Sequence, residues 1–305
     1  MKDLIDLFLE VTTSYSHRAW PLLLLGCAAV VLLWKLLETA LSKATELATA
    51  SYRKHQISQR ADTLQELAIR RFLINALNIN WTSCLPQIAK YHADAPLSEL
   101  YHPLRYDVRT AAAVLPSVAV DRVLVECHSF AVLGPPGSGK SSLLNILAMS
   151  YARDTVEQQF GIKESRLPLF LELRGLPDDM PALPTALAQA LATAGCPVDS
   201  SFLAKQLQHG RCIVLLDGLD ESGDVNRRMR IVRWLADSMA AFPGNRFLVS
   251  CRTTDWNVIR LPGLSEATVA RLSPADMLGI IAKWDRNPGS SPKLYGHLFA
   301  RSRTL

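Results

Sequence analysis

The stretch Phe130–Leu144, FAVLGPPGSGKSSLL, sets Gly134, Pro135, Pro136, Gly137, Ser138, Gly139, Lys140, Ser141 and Ser142 between a short apolar run and the start of a helical pattern. It satisfies G-x-x-x-x-G-K-[ST], with the strand before it and the helix after it that such a loop requires. Glycines let successive backbone N–H groups turn inward toward phosphate oxygens, at a helix N-terminus that favours anions. Lys140 supplies a mobile point charge for β- and γ-phosphates, and the Ser141 hydroxyl is a ligand for Mg²⁺. The chemistry expected is the binding of a nucleoside tri- or diphosphate, ATP or ADP, with Mg²⁺. A glycine-rich turn that binds nothing is the alternative, and the complete pattern disfavours it.

Such a loop needs an acid at the end of a neighbouring buried strand to hold the Mg²⁺ water shell. Asp217, directly after the apolar run Cys212–Leu216, has that position and is the expected metal partner beside Ser141. Asp220 and Glu221 follow closely, and either carboxylate there can orient and deprotonate a water. The residues leave open which of the two is the base. A third group is Arg252, in Ser250-Cys251-Arg252-Thr253-Thr254 after the strand-like Phe247–Ser250. Strand C-termini in open α/β sheets face the ligand crevice, where a guanidinium can hydrogen-bond a γ-phosphate. A solvated acidic turn and an ordinary surface arginine are the competing readings of these two motifs.

The elements that must position these groups alternate. Val123–Val125, Phe130–Leu133, Leu169–Leu173, Cys212–Leu216, Phe247–Ser250 and Thr268–Leu272 read as strands. Helical patterns follow the loop and cover Pro184–Ala194, Ser201–Gln208 and the stripe Val225, Met229, Val232, Leu235, Met239. Arg227, Arg228 and Arg230 sit off that stripe and read as a solvated face. Ser273-Pro274-Ala275-Asp276 opens another helix, with Ser273 as N-cap and Pro274 in the first turn. The expected fold is α/β: a P-loop NTPase with a mostly parallel, doubly wound sheet, preceded by an N-terminal helical region with a single transmembrane helix.

At 305 residues and net charge +5, the chain has material for a large core, and nucleic acid is not indicated. Its six cysteines (27, 84, 127, 196, 212, 251) lack C-x-x-C pairs and read as buried free thiols. The apolar run at about 20–37, flanked by Trp20 and Trp34, has the length of a short membrane span. Lys35, Lys43, Arg53 and Lys54 outnumber Lys2 and Arg18, which puts the C-terminal side in the cytoplasm. The expectation is therefore a single-pass anchor in the inner (cytoplasmic) membrane, with a buried or partner-binding helix as the alternative. Leu41–Ile79 is helical in pattern, as one stalk or two helices. The segments are expected as an anchor (1–50), a helical stalk and lead-in (51–118), the nucleotide-binding domain (119–272) and the start of a helical domain (273–305).

Together these motifs resemble the NACHT family of signal-transduction NTPases. LLDGLDE (Leu215–Glu221) looks like that family's extended Walker B, LPLFLELRGL (Leu167–Leu176) like its strand after the P-loop helix, and FLVSCR (Phe247–Arg252) like its sensor-arginine strand. LSELYHPLR (Leu97–Arg105) is similar to the lead-in of bacterial members. The resemblance spans Leu97–Trp284. Two departures stand out: Thr253 occupies the place where proline commonly follows the sensor arginine, and members usually continue into a winged helix and a repeat array. The chain therefore reads as a minimal member or as a fragment.

The resemblance implies a switch held closed by ADP, opened by ATP exchange and reset by slow hydrolysis, with a homo-oligomer in the ATP state and a trigger or protein partner unknown. Bacterial relatives include defence proteins, so defence is expected by analogy alone. The alternatives are a membrane-associated working ATPase, for transport or remodelling, and a nucleotide binder without turnover. An ABC-type motor is disfavoured by the lack of an LSGGQ-like signature, and a GTPase by the lack of N-K-x-D.

Overall fold

The computed structural model describes residues 20–84 and 101–284. The chain divides into two units, one up to Asp62 and one from Thr63. One helix, α1 (Trp20–Cys84), runs without interruption where the sequence left open one helix or two. In the first unit its hydroxyls at Thr39, Ser42, Thr45 and Thr49 bond carbonyls one turn back, and Leu33, Leu37, Leu41 and Leu47 are exposed. Among the described residues no helix is long and apolar enough to cross a membrane. The span expected at about 20–37 falls largely on side chains outside the described residues, so it gains no support here.

The second unit is built on a seven-stranded sheet. Its strands are β1 (Arg105–Arg109), β2 (Val114–Ala119), β3 (Phe130–Leu133), β4 (Leu167–Glu172), β5 (Cys212–Asp217), β6 (Arg246–Cys251) and β7 (Ser265–Val269), in the order β2-β1-β7-β3-β6-β5-β4. From β7 to β4 every pairing is parallel, whereas β1 is antiparallel to both β2 and β7. The central strands are buried end to end, which is why FAVL and CIVLL read as unbroken apolar runs rather than as alternation. β1 alternates instead, with Tyr106 and Val108 buried, as an outer strand with one covered face should.

The helices are α2 (Val120–Glu126), α3 (Lys140–Ala152), α4 (Val156–Phe160), α5 (Leu183–Thr193), α6 (Ser200–Gln208), α7 (Val225–Ala241), α8 (Thr253–Ile259) and α9 (Pro274–Trp284). α3 packs on β4, β5 and β6 and buries Leu143, Leu144, Ile146 and Leu147. The last part of α1 belongs to the same core: Ile69, Leu73 and Leu77 are buried, and Arg70 donates to the carbonyl of Tyr151 at the end of α3. A cation at a helix C-terminus satisfies orphan carbonyls and complements the dipole.

Three expectations need correction. Val123–Val125 is helical: Val120, Val123 and Leu124 sit at i, i+3, i+4 and are buried in α2, a period that a three-residue apolar run cannot disclose. The sheet reaches back to Arg105, ahead of the first expected strand, because β1 pairs with β7 and β2 pairs with β1. The arginines of α7 are mostly not a solvated face. Arg227 pairs with Asp178 and Arg228 with Asp255, and both side chains are largely buried, while Arg230 stays exposed.

Candidate nucleotide site

The loop after β3 takes the left-handed turns that its glycines permit. Gly137 and Gly139 have φ of +73° and +90°, the left-handed region where a Cβ is costly, and Gly139 is the N-cap of α3. A Cβ on Gly139 would also stand 2.8 Å from Leu104 Cδ1. Lys140 Nζ donates to the carbonyls of Gly134 at 3.0 Å and Pro135 at 2.9 Å, which keeps the ammonium over the loop. Pro135, Pro136, Gly137, Ser141 and Ser142 are exposed, while Gly134 is buried and Ser138 half-buried.

Sheet order explains how Asp217 meets this loop. β6 lies between β3 and β5, with Val132 in register with Ser250 and Leu216 with Val249. The ends of three neighbouring strands therefore present the loop, Ser250 and Asp217 along one edge. Ser141 Oγ donates to Asp217 Oδ1 at 3.0 Å, and Ser250 Oγ donates to the same oxygen. An oxygen-only pair of hydroxyl and carboxylate suits a hard cation that keeps water and phosphate oxygens as its other ligands, as Mg²⁺ does. The structure thus brings Ser141 to Asp217, while Lys140, next to Ser141 in the chain, bonds the loop carbonyls.

Beyond Asp217 the chain turns at Gly218, φ +78°, into a 3₁₀ turn (Leu219–Glu221) whose Leu219 is fully buried. That turn separates the two acids. Asp220 is 6% exposed and engages Arg252, whose Nε lies 2.8 Å from Oδ2 and whose backbone N–H donates to Oδ1 at 3.1 Å. Glu221 is 52% exposed, and its nearest cation is Arg174, 3.9 Å away and itself bonded to Glu172 at 2.8 Å. Pairing with Glu172 is the largest effect raising the Arg174 guanidinium above its ordinary value. Cys251, beside Arg252, is no nucleophile: burial pushes its thiol up to about 12.

A cavity of about 590 Å³ adjoins the loop. It is lined by Pro135 and Gly137–Gly139 on one side, and by Tyr101, His102, Leu104, Val269, Leu272 and Ile280 on the others. Its size and mostly apolar wall are those of a small-molecule site. α9 borders it and is fastened to the segment before β1: His102 Nε2 lies 3.5 Å from Asp276 Oδ1, and Lys283 Nζ donates to Tyr101 O at 2.5 Å. The expected N-cap is present, since Ser273 and Asp276 bond each other's backbone N–H. The Ser273 hydroxyl, donating to Asp276 Oδ2 at 2.6 Å, and then the Ser273 backbone N–H, with His102 adding to them, hold the Asp276 carboxyl below its ordinary value.

Sequence reasoning missed Ser250, Tyr101, His102 and Ile280. Ser250 left a trace, as the one polar residue within FLVSC. The cavity residues left none, because distant segments meet only in the fold.

A NACHT domain model matches residues 128–288, more than half of the chain. Among solved structures, the Aeropyrum pernix ORC1 protein in complex with DNA is similar at 18% identity and TM-score 0.37, covering 59% of this chain and 54% of that one. AMPPCP-bound DnaA from Aquifex aeolicus is similar at 13% identity and TM-score 0.33, covering 58% and 54%. PCH-2 from C. elegans is similar at 14% identity and TM-score 0.31, covering 50% and 38%. The chain thus spans about half or less of each of these proteins. No curated protein matches it. The domain match falls on the loop, the two acids and the arginine whose geometry is given above, and the chain belongs to the NACHT family.

Proposed function

We propose that this NACHT NTPase domain binds ATP and ADP with Mg²⁺, hydrolyses ATP slowly and works as a nucleotide-dependent switch. The observation that carries the reading is the contact of Ser141 with Asp217, at 3.0 Å, beside the left-handed glycines of the loop. Lys140 and the loop's N–H groups hold the phosphates, and Ser141 with Asp217 holds the cation. When bound, Mg²⁺ neutralises charge developing on the phosphate oxygens. The cavity between the loop and α9 takes the nucleoside.

Glu221 is the residue we assign as general base, because its carboxylate is accessible to water and only loosely held. Asp220 is the anchor that aims Arg252, whose side chain is 44% exposed and so open to meet a γ-phosphate. α9 is fastened directly to the cavity wall, which supports a reading in which nucleotide exchange and α9 displacement are linked. Assembly into a homo-oligomer in the ATP state extends the same reading, as does the defence role, which rests on analogy alone. A membrane anchor at 20–37 extends the reading on the composition of that stretch alone. Recovery of the full chain in the soluble fraction without detergent would remove it.

The test of the switch is nucleotide content, turnover and size in ATP and in ADP. Retained ADP, turnover well below about one per second and growth in ATP support it. Fast turnover at constant size supports a working ATPase.

A further inference from the structure

We infer that Ser250 is a positioning residue for Asp217, setting how tightly the site takes Mg²⁺; this rests on the nucleotide reading above. Ser250 is 1% exposed in a strand that is otherwise apolar after Arg246. A buried hydroxyl is costly unless both its hydrogen and a lone pair are used. Here both are: Oγ donates to Asp217 Oδ1 and accepts the Gly218 N–H at 2.8 Å.

The consequences act on one carboxylate. Ser141 also donates to Oδ1, so hydroxyls from α3 and from β6 converge on the same oxygen and fix the rotation of the group. Oδ2 is the oxygen that neither serine takes. The bond to Gly218 N holds the left-handed turn from which Leu219, Asp220 and Glu221 depart. One side chain therefore pins the metal-holding acid and the start of the segment that carries both other acids. Ser250 touches neither nucleotide nor metal in this account; it acts through Asp217. Partners of this kind typically contribute about 10–100-fold to metal affinity.

The experiment titrates Mg²⁺ against a fluorescent ADP analogue and against thermal unfolding in ADP, for wild type, Ser250→Ala, Ser250→Thr and Ser250→Cys. Ser250→Ala should raise the Mg²⁺ midpoint about tenfold or more, with binding in EDTA as in wild type. Ser250→Thr, which keeps the hydroxyl, should return the midpoint toward wild type. Ser250→Cys, nearly isosteric but a weak donor, should behave as Ala and serves if Ala does not fold. A purely structural role would lower the unfolding temperature in Ala and Cys while leaving the Mg²⁺ midpoint in place, and that result overturns the inference alone. A wild-type chain that binds no nucleotide, or binds it without regard to Mg²⁺, overturns the nucleotide reading beneath it and this inference with it.

Discussion

Arg252 grips Asp220 at two points, with its backbone N–H 3.1 Å from Oδ1 and its Nε 2.8 Å from Oδ2. The neighbouring acid has no such partner, since Glu221 has Arg174 only at 3.9 Å and is half exposed. Two adjacent carboxylates thus have different surroundings, and in the proposed reading different tasks. Glu221→Gln should lower single-turnover hydrolysis by about 10²–10⁴-fold, the usual scale for a lost general base, with ADP affinity kept. Asp220→Asn should cost less in turnover and more in stability, because it weakens the buried anchor of Arg252. Equal losses in turnover would contradict this division.

Gly139→Ala should weaken nucleotide binding. At φ +90° a Cβ costs about 1–2 kcal/mol, and here it also meets Leu104 Cδ1 at 2.8 Å. Leu104→Ala in the same chain removes the clash but not the backbone strain, so affinity should recover only in part. Full recovery would place the whole effect in the contact with Leu104.

Stability should depend on pH through Glu164. Burial pushes its carboxyl up, but Arg166, Tyr151 and Arg246 outweigh burial and hold it below its ordinary value. A depressed carboxyl contributes stability that is present above the unfolded-state value and lost as pH falls through the folded-state value. Glu164→Gln leaves the buried Arg246 guanidinium without its charge partner and should cost about 3 kcal/mol at neutral pH. That difference should shrink below about pH 4 as the wild-type carboxyl is protonated. Urea unfolding of both chains across this range reads it directly, and a pH-independent difference would assign the effect to packing.

Gly279→Ala should loosen α9. A Cβ there would lie 2.5 Å from His102 Cε1, in a ring that already reaches Asp276 on the same helix. Displacing His102 opens one wall of the cavity, so the dissociation rate of a fluorescent ADP analogue should rise. An unchanged rate would separate α9 from nucleotide exchange.

What the chain disclosed in advance follows from the range of each signal. Local chemistry was legible: the glycines, Lys140 and Ser141 are contiguous, and Asp217 ends an apolar strand that is unmistakable because both its faces are covered. The capping pair Ser273 and Asp276 lies within one helical turn. Long-range pairing was not legible. β1 and β2 are short outer strands around Asp107 and Ser117, which bond each other, and the other partner of β1, Glu266–Val269, lies far along the chain. Arg227 and Arg228 look like solvent-facing charges until Asp178 and Asp255 arrive from other elements. Ser250 meets Asp217 only because β6 is inserted between β3 and β5, an order no local pattern encodes.

The central claim is a Mg²⁺-dependent nucleotide site built on Lys140, Ser141 and Asp217. Its most direct test is equilibrium binding of ATP and ADP to wild type and to Lys140→Ala, with Mg²⁺ and in EDTA. The account predicts Mg²⁺-dependent binding by wild type that weakens about 10–100-fold in Lys140→Ala, the scale of a lost charge-assisted hydrogen bond. Equal affinity in the two chains would contradict it.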